Sequence, residues 1–492
     1  MVNQPENVTK RLKLYEINTR AFCVRFDQIS SDWLSSLARL GFNAVWLMGA
    51  WRIGAGSKAI SKVISNDFEG SPFAIANYEF SPELGGRGAY LDFLSRARGA
   101  GLRVLLDFIP NHMGLDCPWI SEDPSLVIRS DPDLRKQESG DYYLHPTGQA
   151  VAHGRDPYFP PWYDTAQLDY ASEKLRLRQI ANLKRISQDA DGVRCDMAML
   201  VLRDYFRQRW YPNAADSWFK QRMPGEFWQE AIAEVRSTCP EFVFLAEAYW
   251  GKEPDLQRLG FDLTYEKLLY DALVARNAGW VKELLSRPED VLRRSLFFIE
   301  NHDEPRAASV FEADENLSAM AMLLALPGSV LVHQGQIEGF RKRLPIQLAR
   351  PPAEQPNLEL KQHYEALLGC TTGAVFDTGA FQSWSSPDPA IVSFLRTDDK
   401  QTIVYAGRIG STASEFVRSE VDITPAAAAA GAADMVMIKD LLGSTAILID
   451  RIADKYTFTP RELTAGNSRF CLFEVCKPDG VSASRGVSVK SR

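Results

Sequence analysis

Four short segments of the chain each run from apolar residues into an acidic residue, and they follow one another in a fixed order. They cover residues 104–112, 192–196, 242–247 and 298–303 and read VLLDFIPNH, GVRCD, FVFLAE and FIENHD. Apolar runs that end in polar residues are typical of buried strands whose last residues enter a polar site. Two aspartates and one glutamate at three such ends indicate glycoside cleavage, a reaction performed by a pair of carboxyl groups.

Asp196 is the candidate nucleophile, and Arg194 is its candidate partner. The two residues are two positions apart, so their side chains project from one face of a strand, whereas Cys195 points to the other face and is interpreted as a core residue. A retaining glycosidase needs an ionised carboxylate, and a neighbouring arginine is expected to lower the pKa of that carboxylate. Taken alone, the pattern fits a salt bridge at a strand end equally well; the other segments favour the catalytic interpretation.

Glu247 is the candidate general acid, because it directly follows the apolar run 242–246. A carboxyl group at the end of a buried strand is partly removed from water, which raises its pKa. A general acid needs a raised pKa in order to hold its proton near neutral pH. A single glutamate after a strand is more often an ordinary surface residue, and its place in the series favours the catalytic role.

The four segments together resemble the sequence motifs of the α-amylase superfamily of retaining glycoside hydrolases and transglycosylases. Residues 41–47 are similar to the second barrel strand of that superfamily, and residues 328–336 are similar to its eighth strand and following turn. The resemblance extends over residues 12–370. It implies a parallel (β/α)8 barrel with catalytic residues at the C-terminal ends of the strands.

The resemblance implies roles for the residues of the last segment. Asp303 is implied as a second acid that binds sugar hydroxyls and stabilises the oxocarbenium-like transition state, and His302 as a hydrogen-bonding partner of the same ring. Asn301 is included with them as a substrate-binding candidate. Glu300 is left out, because strand alternation points it away from Asn301.

The first segment and an earlier aromatic residue complete the implied sugar site. Asp107 is implied as a support of Arg194 and Asp196, and His112 as a contact of the bound sugar. Phe73 stands where the superfamily usually carries a tyrosine, so stacking on the cleaved sugar is retained and a hydroxyl is lost. The candidate catalytic residues are thus Asp196, Glu247 and Asp303, and the candidate substrate-binding residues are Phe73, Asp107, His112, Arg194, Asn301 and His302.

The chain departs from the superfamily just after the candidate nucleophile. Met199 and Leu200 take the places of a lysine–histidine pair that contacts the leaving-group sugar in many α-amylases. An apolar lining at this point would suit a smaller or different leaving group. The substrate beyond the cleaved bond is therefore left open.

No metal and no cofactor are predicted. Asn111 matches one calcium ligand of the superfamily, but Gln167 stands where calcium-binding members tend to have aspartate, and one ligand does not make a hard-cation site. His112 and His302 also lack the spacing of metal-binding histidine pairs.

Eight apolar segments that alternate with helical patterns are predicted to position these residues, which gives an α/β fold with a parallel barrel. Residues 31–40 illustrate the helical pattern, and Gly41 is expected to end that helix. The predicted strands cover residues 12–18, 44–48, 102–108, 192–196, 242–247, 261–265, 296–299 and 329–332.

The strand pattern changes to a period of two after about residue 372, which predicts a C-terminal antiparallel β-sandwich. Residues 425–433 are alanine-rich and are predicted to form a surface loop or short helix. The predicted divisions are a barrel over 1–113 and 171–372, a small inserted B subdomain over 114–170, the sandwich over 373–477 and a disordered tail over 478–492.

The overall composition limits the class of partner. The net charge of −7 gives no electrostatic reason to bind nucleic acid or an anionic membrane, and an aromatic content of 11% suits a neutral sugar. The sequence begins without an apolar signal segment, and its seven cysteines are scattered, so a cytoplasmic location is expected. The oligomeric state is not predicted.

The sequence therefore predicts a retaining hydrolase that cleaves α-glucosidic bonds of intracellular α-glucans or small α-glucosides through a covalent glucosyl-enzyme. A hydrolase specific for a glucosylated compatible solute such as glucosylglycerol is one alternative. A transglucosidase, isomerase or phosphorylase of the same superfamily is a second. A non-catalytic relative that binds sugar or protein is a third.

Overall fold

Eight parallel strands close into a barrel, as the alternation of apolar segments and helical patterns predicted. The computed structural model describes residues 11–22, 25–130, 140–410, 413–463 and 468–478. Each barrel strand pairs with the next along the chain, and the eighth pairs with the first. The strands are β1 Lys13–Asn18, β2 Ala44–Met48, β3 Arg103–Phe108, β4 Gly192–Cys195, β5 Val243–Ala246, β6 Leu263–Tyr265, β7 Ser295–Phe297 and β8 Ser329–His333.

These strands read as nearly continuous apolar runs because both of their faces are covered. All residues of β2 and all residues of β5 are buried. The helices that surround the barrel are Ser31–Arg39, Gly86–Gly99, Glu173–Asp189, Phe227–Arg236, Glu253–Arg258, Lys267–Val274, Ala278–Leu285, Ala313–Ala325 and Leu358–Cys370. The other α-helices are Thr19–Phe22, Ala55–Ile64, Pro118–Glu122, Arg203–Trp210, Asp216–Arg222, Glu289–Arg293, Ala307–Val310, Ala374–Asp377, Ala413–Phe416 and Thr424–Ala429.

The first barrel helix shows how local sequence sets these elements. Ser30 precedes it, and the Ser30 hydroxyl accepts a hydrogen bond from the Trp33 amide, which satisfies one free N–H of the first turn. Leu34 and Leu37 are buried against the barrel. Gly41 follows with a φ of 86°, a conformation that glycine adopts at little cost, so the predicted helix end is confirmed.

Register brings the acidic segments to one rim of the barrel. Arg194 on β4 lies beside Asp107 on β3 and beside Leu245 on β5. Glu16 on β1 lies beside Trp46 on β2. In a parallel barrel the C-terminal ends of all strands meet at the same face, which is where barrel enzymes place their chemistry.

The segment after β3 forms small antiparallel pairs over the same rim. His112–Gly114 pairs with Thr165–Gln167, and Tyr142–Leu144 pairs with Ala150–Ala152. These pairs coincide with the segment predicted as the B subdomain, residues 114–170, whose boundaries stay a prediction. No helix in the described part of the chain is long and apolar enough to cross a membrane.

A C-terminal antiparallel domain follows the barrel, as predicted. The six strands of its main sheet are β9 Ala380–Ser385, β10 Ile391–Thr397, β11 Thr402–Arg408, β12 Met435–Asp440, β13 Ala446–Asp450 and β14 Phe470–Cys476. They lie in the order β9-β10-β11-β14-β12-β13.

The second layer of this domain is smaller than the sheet that covers it. It contains the ribbon Val421–Asp422 with Thr457–Phe458 and the helix Thr424–Ala429. The helix confirms one of the two predictions for the alanine-rich segment, but Ala426 and Ala427 are buried in the domain core and not at the surface. The tail beyond residue 478, which was predicted to be disordered, lies outside the described residues.

One buried arginine joins the C-terminal domain to the barrel. Arg396 on β10 is 1% exposed, and its guanidinium donates to the Gly379 carbonyl at 2.9 and 3.1 Å and to the Leu326 carbonyl at 3.1 Å. Leu326 follows the barrel helix Ala313–Ala325, and Gly379 precedes β9. Buried carbonyl groups on both sides of the domain boundary therefore depend on this side chain.

Replacing this arginine should weaken the whole chain. Arg396→Met leaves the buried Leu326 carbonyl without its side-chain donor and leaves the Gly379 carbonyl with the Arg293 guanidinium in place of two arginine donors. The free energy of unfolding should therefore fall by about 2–3 kcal/mol. Urea unfolding followed by tryptophan fluorescence measures this change. The control is Arg418→Met at an exposed position of the same domain, which should change the free energy by less than about 0.5 kcal/mol. Equal unfolding midpoints for the two variants would contradict the prediction.

Candidate active site

A single guanidinium bridges two of the three candidate catalytic carboxylates. Arg194 Nη1 lies 2.8 Å from Asp196 Oδ1, and Arg194 Nη2 lies 2.9 Å from Glu247 Oε2. The Arg194 side chain is fully buried. A buried cation requires nearby anions, so the three side chains form one electrostatic unit.

Aromatic rings enclose this unit. The Cζ atom of Arg194 lies 5.1 Å from the ring of Trp46, 5.2 Å from that of Phe73 and 5.6 Å from that of Tyr265, distances at which a ring face attracts a cation. Arg194 Nε also donates to the Tyr265 hydroxyl at 3.3 Å. The sequence had singled out only Phe73. Tyr265 is the last residue of β6, and that position was an available signal, whereas Trp46 lies in the middle of β2.

Burial raises the pKa of Asp196, and the opposing charge and hydrogen bond of Arg194 do not cancel this effect. The arginine does lower this pKa, as expected, but burial outweighs its effect, so the net pKa of Asp196 in the free site lies above the usual value. The reason is that Asp196 is only 5% exposed and also lies near the negative charge of Asp303. Sequence indicates the partner of a carboxylate but not the amount of water that surrounds it.

Both oxygens of Glu247 accept hydrogen bonds. Oε2 accepts from the Met197 amide at 2.6 Å, and Oε1 accepts from the Tyr249 hydroxyl at 2.9 Å. Met197 adopts a φ of 42°, which is uncommon outside glycine. Burial raises the pKa of Glu247 to about 7, against the lowering effect of Arg194, as expected for a proton donor near neutral pH.

Asp303 belongs to a second network of charged side chains, which extends through His302 to Glu16 on β1. Glu16 Oε1 lies 2.6 Å from His302 Nδ1, and His302 Nε2 lies 3.0 Å from Asp303 Oδ2. The Asp303 side chain is 44% exposed, whereas those of Asp196 and Glu247 are 7% and 5% exposed. Asp303 is thus the carboxylate of the three that faces open solvent.

The charge states of the side chains in this network follow from their geometry. Burial lowers the pKa of His302, but Asp303 and Glu16 raise it well above its usual value. A carboxylate beside each ring nitrogen favours the doubly protonated ring. Partial burial raises the pKa of Asp303, whereas the charge and hydrogen bond of His302 lower it more strongly, to about 2. Glu16 was missed by the sequence analysis, although it is an acid inside a predicted strand.

Asn301 shapes the turn that carries His302 and Asp303. Its Oδ1 accepts hydrogen bonds from the amides of Asp303 and Glu304, both at 2.9 Å. The preceding Glu300 is fully buried, and its Oε1 lies 2.6 Å from Arg306 Nη1. Glu300 is therefore held in a separate ion pair, in agreement with its omission from the candidate site.

Asp107 acts on Arg194 through Trp46. Its Oδ1 accepts from Trp46 Nε1 at 2.9 Å, and its Oδ2 accepts from the Gly49 amide at 2.7 Å. Burial raises the pKa of Asp107 to about 6, against the lowering effect of Arg194. The implied support of the arginine thus includes a fixed indole ring that packs on the guanidinium.

The two remaining substrate-binding candidates, Phe73 and His112, each pack against another ring. Phe73 packs against His302 with ring centroids 5.4 Å apart. His112 packs against Trp162 of the inserted segment, 5.0 Å between centroids, and burial lowers its pKa to about 4. His112 is therefore neutral near pH 7, in contrast to His302.

The structure also places the residues at which this chain departs from the superfamily pattern. Met199 and Leu200 lie in the short helix Ala198–Val201, and their side chains are buried, so they do not form an open lining. Gln167 Nε2 donates to Asn111 Oδ1 and to the Asn111 carbonyl, both at 3.0 Å. Within the described ranges, no group of three or more histidine, cysteine, aspartate or glutamate residues could hold a metal ion.

Comparison with known proteins agrees with this geometry. Residues 31–346 match the family described as Alpha-amylase, the alpha amylase catalytic domain. Alpha-amylase MalA from Haloarcula japonica is 25% identical over 420 residues, which cover 81% of this chain and 55% of that protein. Alpha-amylase 3 from Dictyoglomus thermophilum is 21% identical over 313 residues, which cover 58% of this chain and 57% of that protein. The chain thus spans little more than half the length of these curated relatives.

A solved structure supports the fold independently. The crystal structure of a maltogenic alpha-amylase, AmyB, from Thermotoga neapolitana matches with a TM-score of 0.71 at 20% identity and covers 94% of this chain and 98% of that one. The family match covers more than half of the chain and includes all four acidic segments. The chain therefore belongs to the α-amylase family.

Proposed function

We propose that the protein is a retaining glycoside hydrolase that cleaves α-glucosidic bonds of α-glucans or small α-glucosides. The observation that carries the proposal is the buried Arg194, which lies 2.8 Å from Asp196 and 2.9 Å from Glu247. A nucleophile and an acid on one shared cation are the pair that double displacement requires. Membership of the family and the names of both amylase relatives support the same class of reaction.

In the proposed reaction, Asp196 attacks the anomeric carbon while Glu247 gives its proton to the leaving oxygen. The glycosidic bond breaks, and a covalent glucosyl-enzyme forms on Asp196. Glu247, now ionised, takes a proton from water, and the resulting attack frees the sugar with its original configuration.

The charges of the free site support this division of roles. The pKa of Glu247 is raised to about 7, so its proton is held at slightly acidic pH. When Glu247 is protonated, the charge of Arg194 is directed to Asp196, which favours the ionised nucleophile. The ionised and exposed carboxylate of Asp303 is proposed to accept hydrogen bonds from sugar hydroxyls, with the His302 ring fixed beside it.

Water is the proposed acceptor, although the same residues would serve a transglucosidase, isomerase or phosphorylase. A narrower hydrolase of a glucosylated compatible solute such as glucosylglycerol uses the same chemistry too. A product screen with starch, maltooligosaccharides, trehalose, sucrose and glucosylglycerol, with and without phosphate, separates these activities. Release of free glucose or maltose in the α-configuration supports hydrolysis, whereas sugar phosphates or lengthened chains as main products contradict it.

We also propose a reducing, cytoplasmic setting. The chain has seven cysteines, an odd number, and the six that lie in the described residues are all free of disulfide bonds. Free thiols at this frequency suit a reducing compartment.

Removing the proposed nucleophile or acid should abolish turnover without unfolding the chain. Asp196→Ala and Glu247→Gln should each lower kcat by about 100-fold or more, because each removes one partner of the displacement. Circular dichroism checks the fold, and the control is Asp204→Asn, whose side chain is 77% exposed. Near-native turnover by Asp196→Ala would rule out the mechanism.

We propose that Asn111 binds no calcium, because Gln167 already donates to its oxygens at 3.0 Å where a cation would require free acceptors. Treatment with EDTA should leave the melting temperature unchanged. Gln167→Asp removes the donor and adds a carboxylate, and this variant should gain thermal stability on addition of calcium. A fall in the native melting temperature with EDTA that calcium restores would contradict the proposal.

Glu16 is proposed to keep His302 charged beside Asp303. Glu16→Gln removes the negative charge, so the pKa of His302 should fall and its charge should be lost at lower pH. NMR titration of histidine-labelled protein measures this shift, and kcat/KM should decline at correspondingly lower pH.

The matched control is Glu300→Gln, which neutralises another fully buried glutamate that pairs with Arg306. This control should leave the titration of His302 unchanged. The same His302 pKa in both variants would show that Glu16 does not set its charge.

A further inference from the structure

Three aromatic side chains from separate parts of the chain meet at the surface. Tyr158 belongs to the inserted segment, Tyr205 to the helix Arg203–Trp210 and Trp250 to the loop after β5. The rings of Tyr158 and Trp250 lie 4.8 Å apart, nearly perpendicular, and those of Tyr205 and Trp250 lie 6.2 Å apart and nearly parallel. Tyr158 is 64% exposed and Trp250 is 37% exposed. Large aromatic rings are thus exposed together rather than scattered singly.

This cluster begins next to the proposed acid. The Tyr249 hydroxyl donates to Glu247 Oε1 at 2.9 Å, and the rings of Tyr249 and Trp250 lie 6.1 Å apart. The acid must touch the leaving oxygen, so the sugar beyond the cleaved bond has to pass the neighbours of Glu247. Trp250 is the first exposed aromatic residue that follows Glu247 along the chain.

The backbone of Trp250 is strained. Its φ is 60°, a left-handed conformation that bulky residues rarely adopt, and Gly251 follows with a φ of 73°. A glycine at position 250 would adopt the same conformation freely. Backbone strain of this kind is typical of ligand-binding positions.

We propose that Trp250, flanked by Tyr158 and Tyr205, is the platform that binds the leaving-group glucose ring of an α-glucan. The proposal rests on the proposed hydrolase function. The apolar face of a pyranose ring fits an exposed indole, which combines a large apolar area with a polar edge. It also accounts for the buried Met199 and Leu200, because contact with the leaving sugar is then supplied by stacking from the loop after β5.

Two substrates with different leaving groups test the platform, because maltotriose releases a sugar ring and methyl α-glucoside releases methanol, which has no ring to stack. Trp250→Gly should lower kcat/KM for maltotriose by about 5- to 10-fold, the effect of one lost aromatic contact. The same variant should change kcat/KM for methyl α-glucoside by less than about 2-fold and should not lower the melting temperature, since glycine relieves the backbone. The control Trp280→Ala removes another exposed indole, 55% exposed on the helix Ala278–Leu285, and should leave both constants unchanged.

Two results would overturn the platform: an equal loss with both substrates, which would mean that Trp250 only positions Glu247, or no change with either. If the native protein releases sugar from neither substrate, the proposed hydrolysis is wrong, and calorimetric titration with maltotriose then tests the platform alone. Weaker binding by Trp250→Gly supports it, and equal binding overturns it.

Discussion

The buried guanidinium of Arg194 is the constraint on which the site depends. A cation without access to water is tolerated only when anions and polarisable groups surround it closely. Two carboxylates at 2.8 and 2.9 Å and three aromatic rings within 5.6 Å meet this need. The barrel makes the arrangement possible, because it brings strand ends that are distant in sequence to one rim with fixed register. Without Arg194, the buried carboxylates of Asp196 and Glu247 would lose the cation that they share. The charge states of both groups therefore depend on this residue.

The barrel rim contains two side-chain networks that shift the pKa values of their carboxyl groups in opposite directions. Around Arg194, burial dominates and raises the pKa of Asp196 and of Glu247, the latter to about 7. Around His302, charge dominates and lowers the pKa of Asp303 to about 2. The difference follows from exposure and partners, because Asp303 faces solvent and contacts a doubly protonated imidazole. One barrel rim can thus keep a carboxyl group protonated and another ionised at the same pH.

Much of this arrangement could be predicted from the sequence. The barrel strands were predictable because buried parallel strands are continuous apolar runs, and the carboxylates because they end those runs. Glu16 and Trp46 were missed, since their partners lie far away in sequence and only strand pairing brings them together. The lowering effect of Arg194 on the pKa of Asp196 was predicted, but the net rise was not, because the extent of burial is a property of the closed structure. The small second layer of the C-terminal domain was likewise not predicted, because its helix is a short alanine-rich segment without a strong hydrophobic periodicity.

The pair formed by Glu16 and His302 joins residues separated by 286 positions, from the first strand to the turn after the seventh. Glu16 is fully buried, so until that turn arrives its carboxylate either stays in water or takes up a proton. Contacts of such long range form late and slow the folding of a domain. The charge pattern of the rim therefore requires that the first strand and the turn after the seventh strand come together. The electrostatic assembly of the site thus depends on closure of the barrel.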